Sequence, residues 1–97
     1  MRVRQGPYRS ERFTADSIVS IKAATLATFT IINATASAVT LTLYDDPTTG
    51  GSNPIESVVV PANGSVSGYP YGDTLNGLSV KCSLWTSVQA FVRWTPR

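Results

Sequence analysis

The strongest constraint on the fold is an alternation of apolar and polar residues with a period of two, which recurs along most of the chain. It is clearest in residues 38–45, where Val39, Leu41 and Leu43 alternate with threonines and a tyrosine. A period of two places one set of side chains on each face of a β-strand, whereas an amphipathic helix requires a period near 3.6. No segment of the sequence has a helical period, so the pattern predicts an all-β protein.

Seven segments have either this alternation or a run of β-branched residues, and turn-forming residues separate them at a spacing of roughly ten residues. They are residues 17–22, 24–33, 38–45, 55–60, 65–69, 77–85 and 87–95. Six to seven short strands at this spacing are typical of a small antiparallel β-sandwich or a partly closed barrel. Residues 85–87 form a tight connection between the last two segments, which predicts that those strands form an antiparallel hairpin.

The size of the chain predicts one domain that needs a partner. A chain of 97 residues forms a single core, and a domain of that size buries only about 60–65% of the surface of its unfolded state. We place this domain at residues 17–97. Since its own burial is marginal, we expect further burial from a homo-oligomer, most simply a trimer, or from docking on a larger surface.

The residue types that catalysis requires are scarce. The sequence has no histidine, so a serine or cysteine nucleophile has no ordinary base. Asp45 and Asp46 are the candidate carboxylate pair, but they are adjacent in a loop rich in proline and glycine, where neighbouring side chains point in opposite directions. The pattern indicates a solvated pair of turn-forming aspartates. We therefore expect no enzymatic activity.

Metal sites, cofactor sites and disulfides are not expected either. Cys82 is the only cysteine, which excludes an intramolecular disulfide and a zinc site built of cysteine and histidine. It is in phase with Val80 and Leu84, as expected of a buried, inert thiol. No apolar run approaches the roughly 20 residues that span a bilayer. These features predict a protein that is made in a reducing cytoplasm and does not enter a membrane.

The first sixteen residues differ from the rest because they have no period and carry most of the positive charge. The net charge is +3 over residues 1–12 and −1 over residues 13–97. We interpret residues 1–16 as an extended basic arm, attached to a body that should stay folded without it. The candidate partner-binding residues of the arm are its arginines and aromatic residues: Arg2, Arg4, Tyr8, Arg9, Arg12 and Phe13.

Two kinds of partner fit the basic arm. Arginine binds carboxylates with two parallel hydrogen bonds, so the arm suits an acidic neighbouring protein subunit. Its charge also suits the phosphates of a nucleic acid. The body has no basic face to extend a nucleic-acid footprint and no nucleic-acid-binding motif. The sequence therefore favours a protein partner, and we do not expect nucleic acid.

Three further aromatic residues are candidates for partner contact. Tyr69 and Tyr71 lie in a segment rich in tyrosine, proline and glycine, whose composition suits either contact with a sugar or protein or packing across the end of the fold. Trp85 is in phase with Lys81 and Ser83, and it marks either an interface or a cap on the end of the sandwich. Trp94 is in phase with Val92, which predicts packing in the core or at its rim.

The stretch from residue 31 to residue 83 resembles small β-sandwich virion proteins of tailed bacteriophages. The resemblance rests on a strand with the sequence VTLTLYDDP, a Gly-rich loop, then IESVVVPANGSVSGYPYG and LNGLSVKCS. It covers about half of the chain and consists of strand and turn residues. It implies a structural component of the virion, assembled in the cytoplasm of the bacterial host. Such proteins commonly form trimers and clasp neighbouring capsid subunits with extended arms.

Two functions from different classes follow from these observations. The leading hypothesis is a capsid decoration, or cement, protein that binds the major capsid protein or other virion subunits and stabilises the shell through its arm and oligomeric body. The alternative is a head-fibre or tail accessory module that binds a carbohydrate or protein of the host surface. In the second case Tyr69, Tyr71 and Trp85 are expected to line one open groove.

Overall fold

A computed structural model of the chain describes residues 8–97, which form nine β-strands and no helix. The strands are β1 (Arg9–Phe13), β2 (Ser17–Ser20), β3 (Ala24–Asn33), β4 (Val39–Tyr44), β5 (Pro54–Val60), β6 (Gly64–Gly68), β7 (Gly72–Asp73), β8 (Leu78–Cys82) and β9 (Val88–Pro96). The seven predicted segments correspond to β2–β6, β8 and β9. The all-β prediction is confirmed, and β1 and β7 are additional strands.

The strands form two antiparallel sheets that pack face to face, so the architecture is a sandwich rather than a partly closed barrel. Sheet I has the order β1-β9-β3-β6, and β7 pairs with β3 next to β6. Sheet II has the order β2-β8-β4-β5. The two outer strands β5 and β6 contact each other across the layers. Each sheet therefore has one face on the core and one outer face.

The core lies between β3 and β9 of sheet I and β4 and β8 of sheet II. The inward residues of β4, Val39, Leu41 and Leu43, are buried as their alternation predicts. In β3 the buried set changes phase, from Ala24 and Leu26 to Phe29, Ile31 and Asn33. A β-bulge between Leu26 and Thr28 causes the change, because one extra residue shifts all later side chains by one position.

The predicted hairpin between the last two strands is wrong. β8 pairs with β2 and β4 in sheet II, whereas β9 pairs with β1 and β3 in sheet I. Their short connection crosses from one sheet to the other, and Leu84, predicted to point inward, is 47% exposed because β8 ends at Cys82. Alternation shows which face of a strand is buried, but it does not identify the neighbouring strand.

The structure divides the N-terminal region differently from the sequence pattern. Residues 9–13 are β1, which pairs along its whole length with β9 from Arg9↔Trp94 to Phe13↔Ala90. The extended segment predicted as an arm is therefore held, in its described part, as an edge strand of sheet I. Phe13 is partly buried against the core and the Trp94 Nε1–H donates to Glu11 Oε1 at 2.8 Å, so this strand belongs to the sandwich.

Candidate functional site

One end of the outer face of sheet I contains a cleft with a volume of about 620 Å³, which is within the range of roughly 300–1,000 Å³ typical of small-ligand sites. We call it the end cleft. Four parts of the chain line it: the residue before β1, one residue of β3, the segment around β7, and the end of β9 with the residue that follows. These residues are Tyr8, Thr25, Tyr71, Asp73, Thr95, Pro96 and Arg97. The order of strands in sheet I brings these distant segments together.

The backbone fixes Tyr71 in an unusual conformation at this cleft. Its φ angle is +45°, in the left-handed region that few residues other than glycine and asparagine adopt. Its N–H donates to the carbonyl of Ala27 at 3.1 Å, which holds the segment against β3. The Tyr71 side chain is 61% exposed. A strained residue that presents an aromatic ring to solvent is a reason to examine a site for function.

Asp73 and Arg97 form the charged part of the cleft. Arg97 Nε is 3.7 Å from Asp73 Oδ2, and Arg97 Nη1 also donates to the Thr74 carbonyl at 3.0 Å. The Thr25 hydroxyl donates to Asp73 Oδ1 at 2.6 Å. These contacts orient the carboxylate and the guanidinium, while both groups stay partly exposed to solvent. The cleft therefore contains hydrogen-bond acceptors on Asp73 and donors on Arg97, and the negative and positive charges of these two side chains cancel.

Beyond the cleft, the outer face of sheet I carries arginines next to apolar side chains. Arg12 is paired with Phe91, and residues directly opposite each other on neighbouring strands point to the same side of a sheet. Phe91 is 37% exposed, and Ile32 of β3 is also exposed. Arg93 lies over the Tyr8 ring, with 5.4 Å between its guanidinium carbon and the ring centroid. This face therefore carries two exposed apolar side chains and two cations among polar residues.

The other candidate residues of the N-terminal region lie toward the inner side. Arg9 stacks on Trp94, with 5.0 Å between the guanidinium carbon and the ring centroid, and Phe13 packs against the core. Of the predicted arm residues, Tyr8 and Arg12 are those placed on the outer face. Arg2 and Arg4 lie outside the described residues.

Trp85 is separated from the end cleft by the length of the sandwich. Its carbonyl accepts the N–H of Val88, the first residue of β9, whereas Pro96 at the other end of β9 lines the cleft. A nine-residue strand spans about 26 Å at roughly 3.3 Å per residue. The Trp85 ring packs against the core and its Nε1–H donates to Asp16 Oδ1 at 2.7 Å. Trp85 caps this end of the sandwich, so the three aromatic residues do not share one groove.

Tyr69 is 71% exposed but does not line the end cleft. Sequence reasoning thus identified Tyr8 and Tyr71 but missed Thr25, Asp73 and Arg97. The signal for Asp73 was its position two residues after Tyr71 in the same turn-forming segment. Thr25 and Arg97 had no comparable signal, since only the pairing of β3 with β7 and β9 brings them to Asp73.

Asp45 and Asp46 organise two loops. Asp45 accepts hydrogen bonds from the N–H groups of Leu75, Asn76 and Gly77, at 2.7–3.2 Å. Partial burial raises the pKa of Asp45, but these bonds together lower it by more, so that the pKa lies below its ordinary value. The two carboxylates therefore have different hydrogen-bond partners, Asp45 in residues 75–77 and Asp46 in its own loop.

Asp46 is not the solvated residue that the sequence suggested, because it is only 6% exposed. It accepts hydrogen bonds from the N–H of Ser52 at 3.0 Å and from the N–H and hydroxyl of Thr48, both at 2.8 Å. These bonds hold the pKa of Asp46 below its ordinary value, the Ser52 bond contributing most. All the contacts of this carboxylate lie within its own loop, so it folds that loop back on itself.

No group of three or more cysteine, aspartate or glutamate side chains with metal-binding geometry occurs in residues 8–97. The same part of the chain contains no helix long and apolar enough to cross a membrane. Comparisons with models of known protein families, with curated proteins and with solved structures find no match to this chain.

Proposed function

We propose that this chain is a structural protein of a bacteriophage virion, and specifically a head decoration protein that docks on the shell of major capsid protein. The observation that carries the proposal is the outer face of sheet I, where Arg12 and Arg93 flank the exposed Phe91. The resemblance of residues 31–83 to small virion sandwiches supports the same conclusion.

The charge distribution favours an acidic protein surface as the partner. Residues 8–97 carry equal numbers of acidic and basic side chains. Asp16, Asp45, Asp46 and Asp73 accept hydrogen bonds within the fold, and Glu11 accepts one from Trp94. The outward side chains that β1, β9 and β3 contribute to the described face include no aspartate or glutamate. A complementary partner therefore presents carboxylates around an apolar centre.

The contacts of the carboxylates are consistent with a docking role. Five of the six carboxylates in residues 8–97 hold loops, tryptophan side chains, a threonine or an arginine, and the sequence has no histidine. Arg2 and Arg4 precede β1 in the sequence and add two positive charges to the N-terminal region. In this proposal they extend the contact with the shell.

The proposal is tested by co-sedimentation of the purified chain with empty phage heads that were assembled without it. The wild-type chain should sediment with the heads in a saturable manner. Arg12→Glu reverses one charge on the outer face of sheet I and should weaken binding at least tenfold. Lys22→Glu is the matched control, because Lys22 is an exposed cation in the β2–β3 connection, outside the strands of sheet I and beside the inward-facing Arg9 and Trp94.

Two results would contradict the proposal. One is a chain that stays in the supernatant at every concentration of heads. The other is equal binding by the Arg12→Glu and Lys22→Glu variants, which would move the contact away from the outer face of sheet I. Circular dichroism of both variants should show the wild-type β spectrum, so that a loss of binding reports on the surface.

A further inference from the structure

The end cleft has the chemical features of a site for a small neutral ligand. Tyr71 stands on the side of β7 and Tyr8 on the side of β1, so aromatic rings are present on both sides of the cleft. Thr25 and Thr95 are directly opposite each other on β3 and β9 and form part of its lining. A cleft with apolar rings at its sides and a few polar groups between them fixes both the position and the orientation of a ligand.

The charges of the cleft argue against an ionic ligand. Its ionised side chains, Asp73 and Arg97, are paired at 3.7 Å and cancel each other. Because the two charges cancel, the cleft offers no net electrostatic attraction to an anion or a cation. A neutral ligand with hydroxyl groups does not depend on such attraction, because each hydroxyl both donates and accepts a hydrogen bond.

Both charged groups keep hydrogen-bonding capacity for such a ligand. A carboxylate has about four acceptor positions, and Thr25 and Arg97 are the described partners of Asp73. A guanidinium has five N–H donors, and Arg97 uses its side chain toward Asp73 and the Thr74 carbonyl. The two side chains are 54% and 40% exposed. Both side chains are therefore accessible to a ligand in the cleft.

We propose that the end cleft binds a neutral saccharide, with a sugar ring stacked on Tyr71 and its hydroxyl groups bonded to Asp73 and Arg97. The C–H groups on one face of a pyranose ring suit the apolar face of an aromatic side chain, while its hydroxyls suit the charged pair. The hydrogen bond from the Tyr71 N–H to the Ala27 carbonyl fixes the backbone from which the ring projects, which reduces the backbone entropy lost on binding. This site lies at one end of the same outer face as the proposed shell contact, since Arg93 lies over the Tyr8 ring, but its ligand and its test are different.

The test is a glycan array that carries neutral and sialylated glycans, probed with the fluorescently labelled chain. Tyr71→Asn removes the ring and keeps the backbone angle, because asparagine tolerates the left-handed region. Tyr69→Asn is the matched control, since Tyr69 is on the same connection and even more exposed than Tyr71 but lies outside the cleft. We expect binding to neutral glycans that falls at least tenfold in Tyr71→Asn, persists in Tyr69→Asn, and stays within threefold of wild type in Tyr71→Phe.

Three outcomes would overturn this site. They are no glycan bound above background, binding restricted to sialylated glycans, and equal losses in the Tyr71→Asn and Tyr69→Asn variants. Thermal melts followed by circular dichroism should give all three variants the melting temperature of wild type within a few degrees. That control separates loss of the site from loss of the fold.

Discussion

At the scale of single residues, the two tryptophans show how polar contacts of aromatic side chains close the fold. Trp94 is buried and donates to Glu11, whereas Trp85 is partly buried and donates to Asp16. Asp16 Oδ1 also accepts the backbone N–H of Cys82 at 3.2 Å. One carboxylate thus connects the residue before β2 to the end of β8 and to the ring that covers the core.

Replacement of Trp85 by phenylalanine should remove the hydrogen bond to Asp16 but keep most of the ring packing. We expect a loss of about 1 kcal/mol in the free energy of unfolding, as for one hydrogen bond near the surface. Asp16→Ala should cost at least as much, and the double variant should cost less than the sum of the two. The measurement is urea unfolding followed by tryptophan fluorescence and circular dichroism. Strict additivity would show that the two residues do not interact.

Gly68 is required by the ring of Phe29 rather than by a special backbone angle. A Cβ atom at Gly68 would lie 2.3 Å from Phe29 Cζ, whereas one at Gly72 would have no neighbour nearer than 4.0 Å. Gly68→Ala should therefore destabilise the fold by about 1–3 kcal/mol through overpacking of the core. Gly72→Ala, the control, should change the unfolding free energy by less than about 0.5 kcal/mol. Equal effects in the two variants would be evidence against the packing of Phe29 on Gly68.

At the scale of elements, the loop after β4 depends on ionised carboxylates. The lowered pKa values of Asp45 and Asp46 mean that folding favours their charged forms. Because an unfolded aspartate titrates near pH 3.9, this stabilisation is fully present well above pH 4. It is lost as the pH falls through the lower pKa values of the folded state.

The double variant Asp45→Asn/Asp46→Asn should accordingly be less stable than wild type at pH 7 and less sensitive to acid. The measurement is the free energy of unfolding in urea at pH 7, 5, 4 and 3. Wild type should lose stability below pH 4, and the gap between the two proteins should narrow toward pH 3. A gap that stays constant over this range would show that these carboxylates do not stabilise the fold through their charge.

β1 defines which part of the N-terminal region the sandwich needs. Removal of residues 1–7 leaves every described strand intact and should not change the melting temperature. Removal of residues 1–16 deletes β1 and uncovers one side of Val92 and Trp94, so we expect a loss of at least about 2 kcal/mol. Thermal and urea unfolding of both truncated proteins measure the difference. Equal stability of the two would show that β1 is dispensable.

The elements differ in how well the sequence predicts them. The alternation of β4 and β9 predicts both strands and their buried residues, because each has a wet face and an apolar face. β1 was not predicted as a strand, because its inward residues are Arg9, Glu11 and Phe13. At the edge of a sheet the inward side chains reach solvent, so two of the three are charged and the apolar pattern is lost.

The end cleft could not be predicted as a site, although both of its aromatic residues, Tyr8 and Tyr71, were predicted to contact a partner. Tyr8, Tyr71 and Arg97 are far apart in the sequence, and strand order alone places them around one cavity. The mistaken hairpin between β8 and β9 has the same origin. Neither strand order nor the sheet to which a strand belongs is encoded in the periodicity of that strand.

At the scale of the whole molecule, the core is small, so we expect a trimer to bury additional surface before the protein docks on a shell. Size-exclusion chromatography with light scattering measures the mass of the purified protein. We expect a mass near three times the 10.4 kDa of the chain, unchanged over a tenfold range of concentration. A monomer would contradict the trimer, and it would make the partner surface the only source of additional burial.

The pairing of β1 with β9 also sets the order of events during synthesis. Of the described strands β1 is translated first, yet β9, its only strand partner among the described residues, lies about 80 residues later in the chain. At the usual rate of roughly 5–20 residues per second, β1 waits several seconds for β9 to be translated. Its sequence RSERF carries three charges in five residues, which keeps an unpaired strand from associating with other chains. β9, the last described strand to be made, therefore has to pair with β3 before β1, the first, can take its place at the edge of sheet I.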